Sequence, residues 1–470
     1  MSARITSLAI TVIATLGGCA LAPPPKPEDV RPQAMPNVAT PGQWSVEGTP
    51  AGALAGSWLA AFDDARLHAL VKEAMSYNPD LRVAATRVEV ASEYVNLADS
   101  TMYPQVNLLA RGGGEMSGDS SGLQGVGLFA DWELDLWGRV RSARAASGAQ
   151  YESVVADTEY ARQSVAALVA KSYFLAIEAG LQLGFAEKMV AAADQLAALA
   201  EQRERVGKGD GYDAALARAN AQTYRDSVEQ LSLAREQSLR ALEALVGRYP
   251  SADVEVAAQL AEMPGPVPAG LPSELLERRP DVAAAERRIA AAFYGVEEAK
   301  AARLPRISLT ASVNDISSEL FVLKNRDNPV WSAGASLMAP VFTGGALQTQ
   351  VRIRTAEQKQ AVAEYGRIGA RAFGEVEGAL AAEFAATRRA QVLGRVVAEN
   401  ERALVLADKR FEIGSADLRG VNQQQLAVYG SRAALVRVET EQLVQRVNLY
   451  LALGGGFDAA PATPVARAED

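Results

Sequence analysis

The chain has 470 residues, with 47 Lys and Arg against 56 Asp and Glu, a formal net charge of −9 and a pI near 5.1. An acidic balance of this size argues against a general nucleic-acid-binding surface. A single cysteine, Cys19, and a single histidine, His68, leave no internal disulfide and no multi-histidine metal site to build.

Residues 1–18 read as an export signal: Arg4, a short apolar run from Ile5 to Leu16, then Gly17-Gly18 before Cys19. The run is too short to span a bilayer, which takes about 20 apolar residues. A cysteine after two small residues resembles a bacterial lipobox, so Cys19 is the expected lipidation site. Ala20, rather than an aspartate, then favours the outer membrane. No other cofactor, metal or catalytic group is expected. The Pro-rich stretch Ala22-Pro23-Pro24-Pro25-Lys26-Pro27 suits an extended tether.

Helical periodicity starts near residue 64 and runs to 101, with Leu67, Leu70, Val71 and Ala74 on one face. No proline occurs from Gln105 to Tyr249 or from Val341 to Ala460, as uninterrupted helices require. Helices over about 141–206 and 345–413 would each be roughly 100 Å long at about 1.5 Å per residue. They must pack side by side as coiled coils.

Four stretches alternate with period two instead, over about 104–116, 123–137, 305–316 and 330–342. In the second, Val126, Leu128, Ala130, Trp132, Leu134 and Leu136 oppose Gly127, Asp131, Glu133 and Asp135; in the third, Ile307, Leu309, Ala311 and Val313 oppose serines, Thr310 and Asn314. Alternation over about ten residues, with polar loops at 115–122 and 316–328 between partners, is the pattern of transmembrane β-strands. Trp132, Trp137 and Trp331 are the expected membrane-interface aromatics.

The chain also repeats itself. Asn78-Pro79-Asp80 returns as Arg279-Pro280-Asp281 and Pro104 as Pro305, both 201 residues on; Gly138 returns as Gly344 after 206 and Gly207 as Gly414 after 207. Such a slowly drifting offset marks a duplicated unit. The expected division is an arm at 19–63, a first repeat at 64–247, a linker at 248–278, a second repeat at 279–453 and a tail at 454–470. Four strands cannot close a barrel, whose smallest bacterial form has about eight. Three chains sharing one would supply 12 strands, so the protein is expected to be an obligate oligomer.

Glu133-Leu134-Asp135-Leu136-Trp137-Gly138-Arg139, the run from Leu275 to Val282 and Pro340-Val341-Phe342-Thr343-Gly344-Gly345 resemble the TolC-like outer-membrane factors of tripartite efflux systems, of the NodT-type lipoprotein group. The resemblance implies an α+β membrane protein. It would be a homotrimer with a 12-stranded barrel shared in the outer membrane, a long periplasmic α-helical barrel and a mixed equatorial domain from the arm, linker and tail. It further implies a lipid-anchored exit duct for small toxic compounds, working with a periplasmic adaptor protein and an inner-membrane RND-type pump. The expected tips of the helical barrel are 205–213 and 412–424, with Asp210, Asp213, Asp417 and Arg419 as candidate constriction residues. Helix capping is the plainer role open to each. Asn422-Gln423-Gln424 stands where the family often has Leu-Asp-Ala, so the usual aspartate ring is in doubt.

Two other readings remain at this point. The same fold serves protein secretion driven by an ABC transporter, and a non-conducting lipid-anchored coiled coil would explain the helices without the strands. Enzymatic readings have little support: His68 lies in a plain helical face, and Gly112-Gly113-Gly114 lacks the spacing of a dinucleotide site.

Overall fold

The computed structural model describes residues 21–39, 41–45, 57–111, 124–270, 272–317 and 330–457. The export signal, Cys19, most of the loops between paired strands and most of the C-terminal tail lie outside the described residues. The elements run α1 (Pro27–Ala34), a 3-10 turn (Leu59–Phe62), α2 (Ala65–Tyr77), α3 (Pro79–Ser100), β1 (Gln105–Arg111), β2 (Gln124–Leu134), α4 (Arg139–Arg205), α5 (Gly211–Val246), α6 (Pro272–Arg278), α7 (Pro280–Ala301), β3 (Arg306–Ser317), β4 (Val330–Met338), α8 (Ala346–Glu412) and α9 (Leu418–Ala452). Duplication is written in the lengths: α3 and α7 have 22 residues each, α4 and α8 have 67 each, and α5 and α9 have 36 and 35.

Three expected boundaries move. The helix expected over 64–101 is two helices, because Pro79 lacks an N–H and crowds the turn before it. Asn78 is extended there, and its Oδ1 accepts from Asp80 and Leu81 N–H at 2.9 and 3.1 Å, capping α3. β2 stops at Leu134 rather than 137, because the Asp135 carboxylate turns the chain into α4 by accepting from Val140 and Arg141 N–H at 3.1 and 2.9 Å. Trp137 therefore lies beyond the strand. β4 stops at Met338 rather than 342, two residues before Pro340, which has no N–H to donate to a ladder.

The repeats share a fastening as well as lengths. Asn78 Nδ2 donates to Leu245 O at 2.7 Å, tying the start of α3 to the end of α5. Its counterpart Arg279 is wholly buried and donates from Nη1 to Ala452 O at 3.0 Å, tying the start of α7 to the end of α9. Arg279 also pairs with Glu375 at 2.7 Å.

The chain forms two compact units, each drawing on both repeats. Among the described residues, one holds those up to 38, from 86 to 157 and from 281 to 368; the other holds those from 39 to 85, from 158 to 280 and from 369 onward. The first unit contains an antiparallel sheet in the order β1-β2-β3-β4. Its register assembles the apolar alternation into rows on one face: Leu108, Leu128, Val313 and Trp331 in one, Val106, Ala130, Ala311 and Ala333 in the next, then Trp132, Leu309 and Ala335. The opposite face carries Asn107, Asp131, Thr310, Ser312, Ser332 and Gly334, with Leu109, Phe129 and Met338 among its apolar exceptions. Val106, Leu108, Trp331 and Leu337 are exposed, so nothing among the described residues covers the apolar face there. Trp132 and Trp137 sit at the helical end of the strands, donating to Met102 O at 2.8 Å and Pro305 O at 2.7 Å. Trp331 stands four residues further along the β3 register than the partner of Trp132.

In the second unit, Trp58 stacks on Tyr450 at 5.8 Å and meets Phe62, which meets Phe174. α4 has a stretch apolar and long enough to cross a bilayer, yet Val165, Val169, Tyr173, Phe174 and Ile177 are buried in this core. His68 is structural, with Nε2 3.0 Å from Leu59 O. Residues 248–270 contain neither helix nor strand, so side chains hold their backbone. The Glu243 carboxylate accepts from the N–H groups of Ala252, Asp253 and Val254 at 2.7–2.9 Å. Tyr173 donates to Asp64 Oδ2 at 2.8 Å and accepts from Ala257 N–H at 3.3 Å. Burial, and next the bond to Asp64, raise the Tyr173 phenol far above its ordinary pKa, so it stays a donor.

Arg446 is the strongest of these ties. Only 3% exposed, it forks onto Glu383 at 2.6 and 3.1 Å and donates to Pro264 O at 2.7 Å and to Gly265 O. Arg446→Met should destabilise the unit by about 3 kcal/mol, because it leaves a largely buried carboxylate unpaired. Hydrogen exchange over 255–268 should accelerate, and adding Glu383→Leu should recover much of the loss; unchanged exchange in the single variant would contradict this.

Candidate functional site at the helical tips

Within the second unit, residues 158–205 of α4 form one antiparallel hairpin with α5, and residues 369–412 of α8 form another with α9. Asp194 pairs with Arg225 at 2.8 Å across the first, and Glu401 pairs with Arg432 at 2.5 Å across the second. These four positions match pairwise at the 207-residue offset seen in the tip glycines. All are about half exposed, so each pair contributes little energy, on the order of 0–1 kcal/mol, and acts mainly on register.

Three main-chain hydrogen bonds recur in the two turns. Val206, Gly207 and Lys208 N–H donate to Gln202, Glu204 and Arg203 O at 3.2, 3.0 and 2.9 Å. Ile413, Gly414 and Ser415 donate to Lys409, Phe411 and Arg410 O at 3.2, 2.9 and 2.8 Å. Gly207 and Gly414 have φ of 69° and 75°, the left-handed conformation that a side chain disfavours. Asp210 then caps α5 by accepting from Asp213 N–H at 2.9 Å, and Asp417 caps α9 by accepting from Gly420 N–H at 3.2 Å. The capping role weighed for these two aspartates is thus present in the fold.

Asp417 does more than cap. Arg203 Nη2, at the end of α4, donates to its Oδ2 at 2.8 Å and joins the two hairpins. Partial burial pulls the Asp417 pKa upward, but the Gly420 N–H, the Arg203 bond and charge, and the Arg419 charge outweigh it and hold it below the ordinary aspartate value. Asp213 and Arg419 do not pair; both line one cavity of about 140 Å³ between α4, α5 and α9, floored by Leu196, Leu199 and Leu426. Asp210 is not part of that lining.

The Asn-Gln-Gln departure resolves into three roles. Gln424 donates to Asn400 O at 3.1 Å, tying α9 to α8, and Gln423 lines the cavity. Asn422 is wholly buried, and neither end of its amide has a partner. Sequence reasoning passed over Arg203, although the repeat offset pairs it with Arg410 at matching places in the two turns. It had no means of seeing that Asn422 is orphaned.

An amphipathic sheet with unpaired edges and two long, matched hairpins define a channel-forming outer-membrane protein of TolC-like fold. The model of the outer membrane efflux protein family matches residues 70–248 and 271–455, and the chain belongs to that family. It is 30% identical to the cation efflux system protein CusC of Escherichia coli O6:H1 over 466 residues, covering 96% of this chain and 98% of that one. It is equally 30% identical to the pyoverdine export outer membrane protein OpmQ of Pseudomonas putida strain KT2440, with 91% and 94% covered. Among solved structures, the open-state MtrE outer membrane channel of Neisseria gonorrhoeae superposes with a TM-score of 0.79 at 27% identity, covering 94% and 98%. The protein is an outer-membrane exit duct of an efflux system. Such channels are trimers that work with an adaptor and an inner-membrane pump.

Asn422→Leu should stabilise the first turns of α9 by roughly 1–2 kcal/mol, the order of the penalty for unpaired buried polar groups. Amide exchange over 421–428 should slow; faster exchange would show that the amide is satisfied in the assembly. For Asp417 the sign follows from a lowered pKa: its contribution is complete above the ordinary value of about 3.9 and is lost as pH falls through the folded value. Closed-state conductance should therefore be flat from about pH 8 to 5 and rise only below about 4, whereas a rise near pH 6 would exclude Asp417 as the tip's titrating group.

Proposed function

We propose that the chain is the lipid-anchored, homotrimeric duct of a tripartite pump that exports small toxic compounds. Its four strands join eight from two further copies in a 12-stranded barrel, and an RND-type inner-membrane transporter feeds the periplasmic end through an adaptor. The observation that carries this reading is that, among the described residues, the sheet edges β1 and β4 are unpaired and the apolar face is uncovered. Open edges are not tolerated in hydrocarbon, so the strands need partners from other chains. The helices call for partners too: Val90, Tyr94 and Leu97 form an exposed apolar stripe on α3, each more than half accessible.

Lipidation of Cys19 is supported by the lipobox-like run Leu16-Gly17-Gly18-Cys19. Leu21 packs over Gly138, whose φ of 75° follows the end of β2, with Cδ2 3.2 Å from where a Cβ would stand. Trp132, Trp137 and Trp331 then serve as interface aromatics. Asp210, Asp213, Asp417 and Arg419, with Arg203, form the constriction. Substrate choice belongs mostly to the pump, in keeping with relatives of equal identity named for cations and for pyoverdine.

Deleting the gene should lower the tolerated concentration of at least one compound in a panel of dyes, detergents, antibiotics and metal salts, and restoring the chain should recover it. No change anywhere in the panel would overturn the efflux reading. Light scattering in detergent should give three chains per particle, a monodisperse monomer being the contrary result. Labelled palmitate should enter the wild type and not Cys19→Ser.

A further inference from the structure

We propose that the cavity at the tips is a binding site for a small aromatic carboxylate, a single ring bearing one negative charge. Its lining comes from one chain and from the second unit alone, so the proposal goes beyond the exit-duct reading and does not depend on how many chains assemble. The helices turn regular stripes toward the space. Leu196, Leu199 and Arg203 recur at helical spacing along α4, as do Arg419, Gln423 and Leu426 along α9. The turn after α4 adds Lys208 and Gly209. A Cβ on Gly209 would stand 3.1 Å from that of Arg203 and 3.3 Å from the Glu204 nitrogen, so glycine lets the turn close against the end of α4.

Size and charge select the ligand. A cavity of about 140 Å³ matches one aromatic ring, since an apolar cavity of about 150 Å³ engineered in another protein takes up benzene. Leu196, Leu199 and Leu426 give the ring an apolar floor, with the half-exposed Leu216 beside them. The charges of the lining do not cancel. Arg203 is matched by Asp417 at 2.8 Å, which leaves Lys208 and Arg419 against Asp213. Neither Lys208 nor Arg419 makes an ion pair among the described residues, and one positive charge is left over. An anion of single charge completes the site. Asn220, Tyr224 and Gln423 also line it, and their side chains make no hydrogen bond among the described residues, so each has a donor to offer a carboxylate. A ring alone would leave the surplus charge unanswered, and a small acid without a ring would leave the leucines wet.

The test titrates the full-length protein, in a neutral detergent, with para-fluorobenzoate followed by fluorine NMR. The wild type should show saturable broadening with one site per chain. Para-fluorobenzylamine should bind at least about tenfold more weakly, and excess acetate should not displace the benzoate. Lys208→Gln and Arg419→Gln should each weaken binding by about tenfold, the order lost with a hydrogen bond to a charged group. Ala200→Phe, which puts a ring of its own into the lining, should abolish it. The proposal is overturned if the wild type shows only the non-saturable partition seen with empty micelles, if the amine binds as well as the acid, or if a folded Ala200→Phe chain binds as the wild type does. Should that variant fail to fold, the exposed Lys208→Gln carries the test, and unchanged affinity there is the contrary result. Light scattering on the same samples keeps the two readings apart: a particle of fewer than three chains that still binds the benzoate would overturn the trimer and leave the site standing.

Discussion

Backbone that cannot find water must find a partner, and the rest of this structure follows from that demand. The sheet offers two unpaired edges and an apolar face to its surroundings. Each unsatisfied N–H or C=O in hydrocarbon costs several kcal/mol, on the order of 2–7. No rearrangement of four strands removes both edges, so the solution lies outside the chain, in copies of itself. Oligomerisation is therefore a condition of the fold in a membrane.

Away from the membrane the same demand is met within the chain and by different means. The long helices satisfy their own backbone, leaving side chains to set register, and the half-exposed pairs Asp194–Arg225 and Glu401–Arg432 do so at matched positions. The stretch 248–270 has no such internal ladder. It is held by Glu243, Tyr173 and Arg446, buried or half-buried groups whose bonds end on its main chain. Glu243 and Arg446 are structural charges and Tyr173 a neutral donor, and their cost of burial is met only because nearly every donor and acceptor is used. Asn422 is the exception: an amide without partners among the described residues, in the first turns of α9. A tip that stores an unpaired polar group and is joined by exposed ion pairs is weakly held.

Much of this could be read from the chain directly. Alternation of Val126 to Leu134 and of Ile307 to Val313 marked the strands, and the register later aligned those same residues in rows. Proline-free stretches marked α4 and α8 to within two residues at each end. The misses have local causes. Alternation continued through Leu136 and Val341 by composition, while Asp135 and Pro340 had already ended pairing. The break at Asn78 looked like helix because the apolar face persists on both sides of it. At the tips, aspartates were legible as caps or constriction groups, but the arginine that joins the hairpins lies 214 residues from its partner and has no local signature.

By itself, then, the sequence determined the duplication, the element types and the need for other copies. These depend on periodicity, on proline and on counting strands, all properties of short windows or of the whole chain. Only the tertiary structure decided which of the repeated charges meet. Arg203 finds Asp417 because two hairpins pack with one register and one direction of neighbour, whereas the equal pair Arg410 and Asp210 is left apart within a chain. Sequence treats the repeats alike. Packing gives each hairpin one neighbour in the chain and leaves its other side for a second copy.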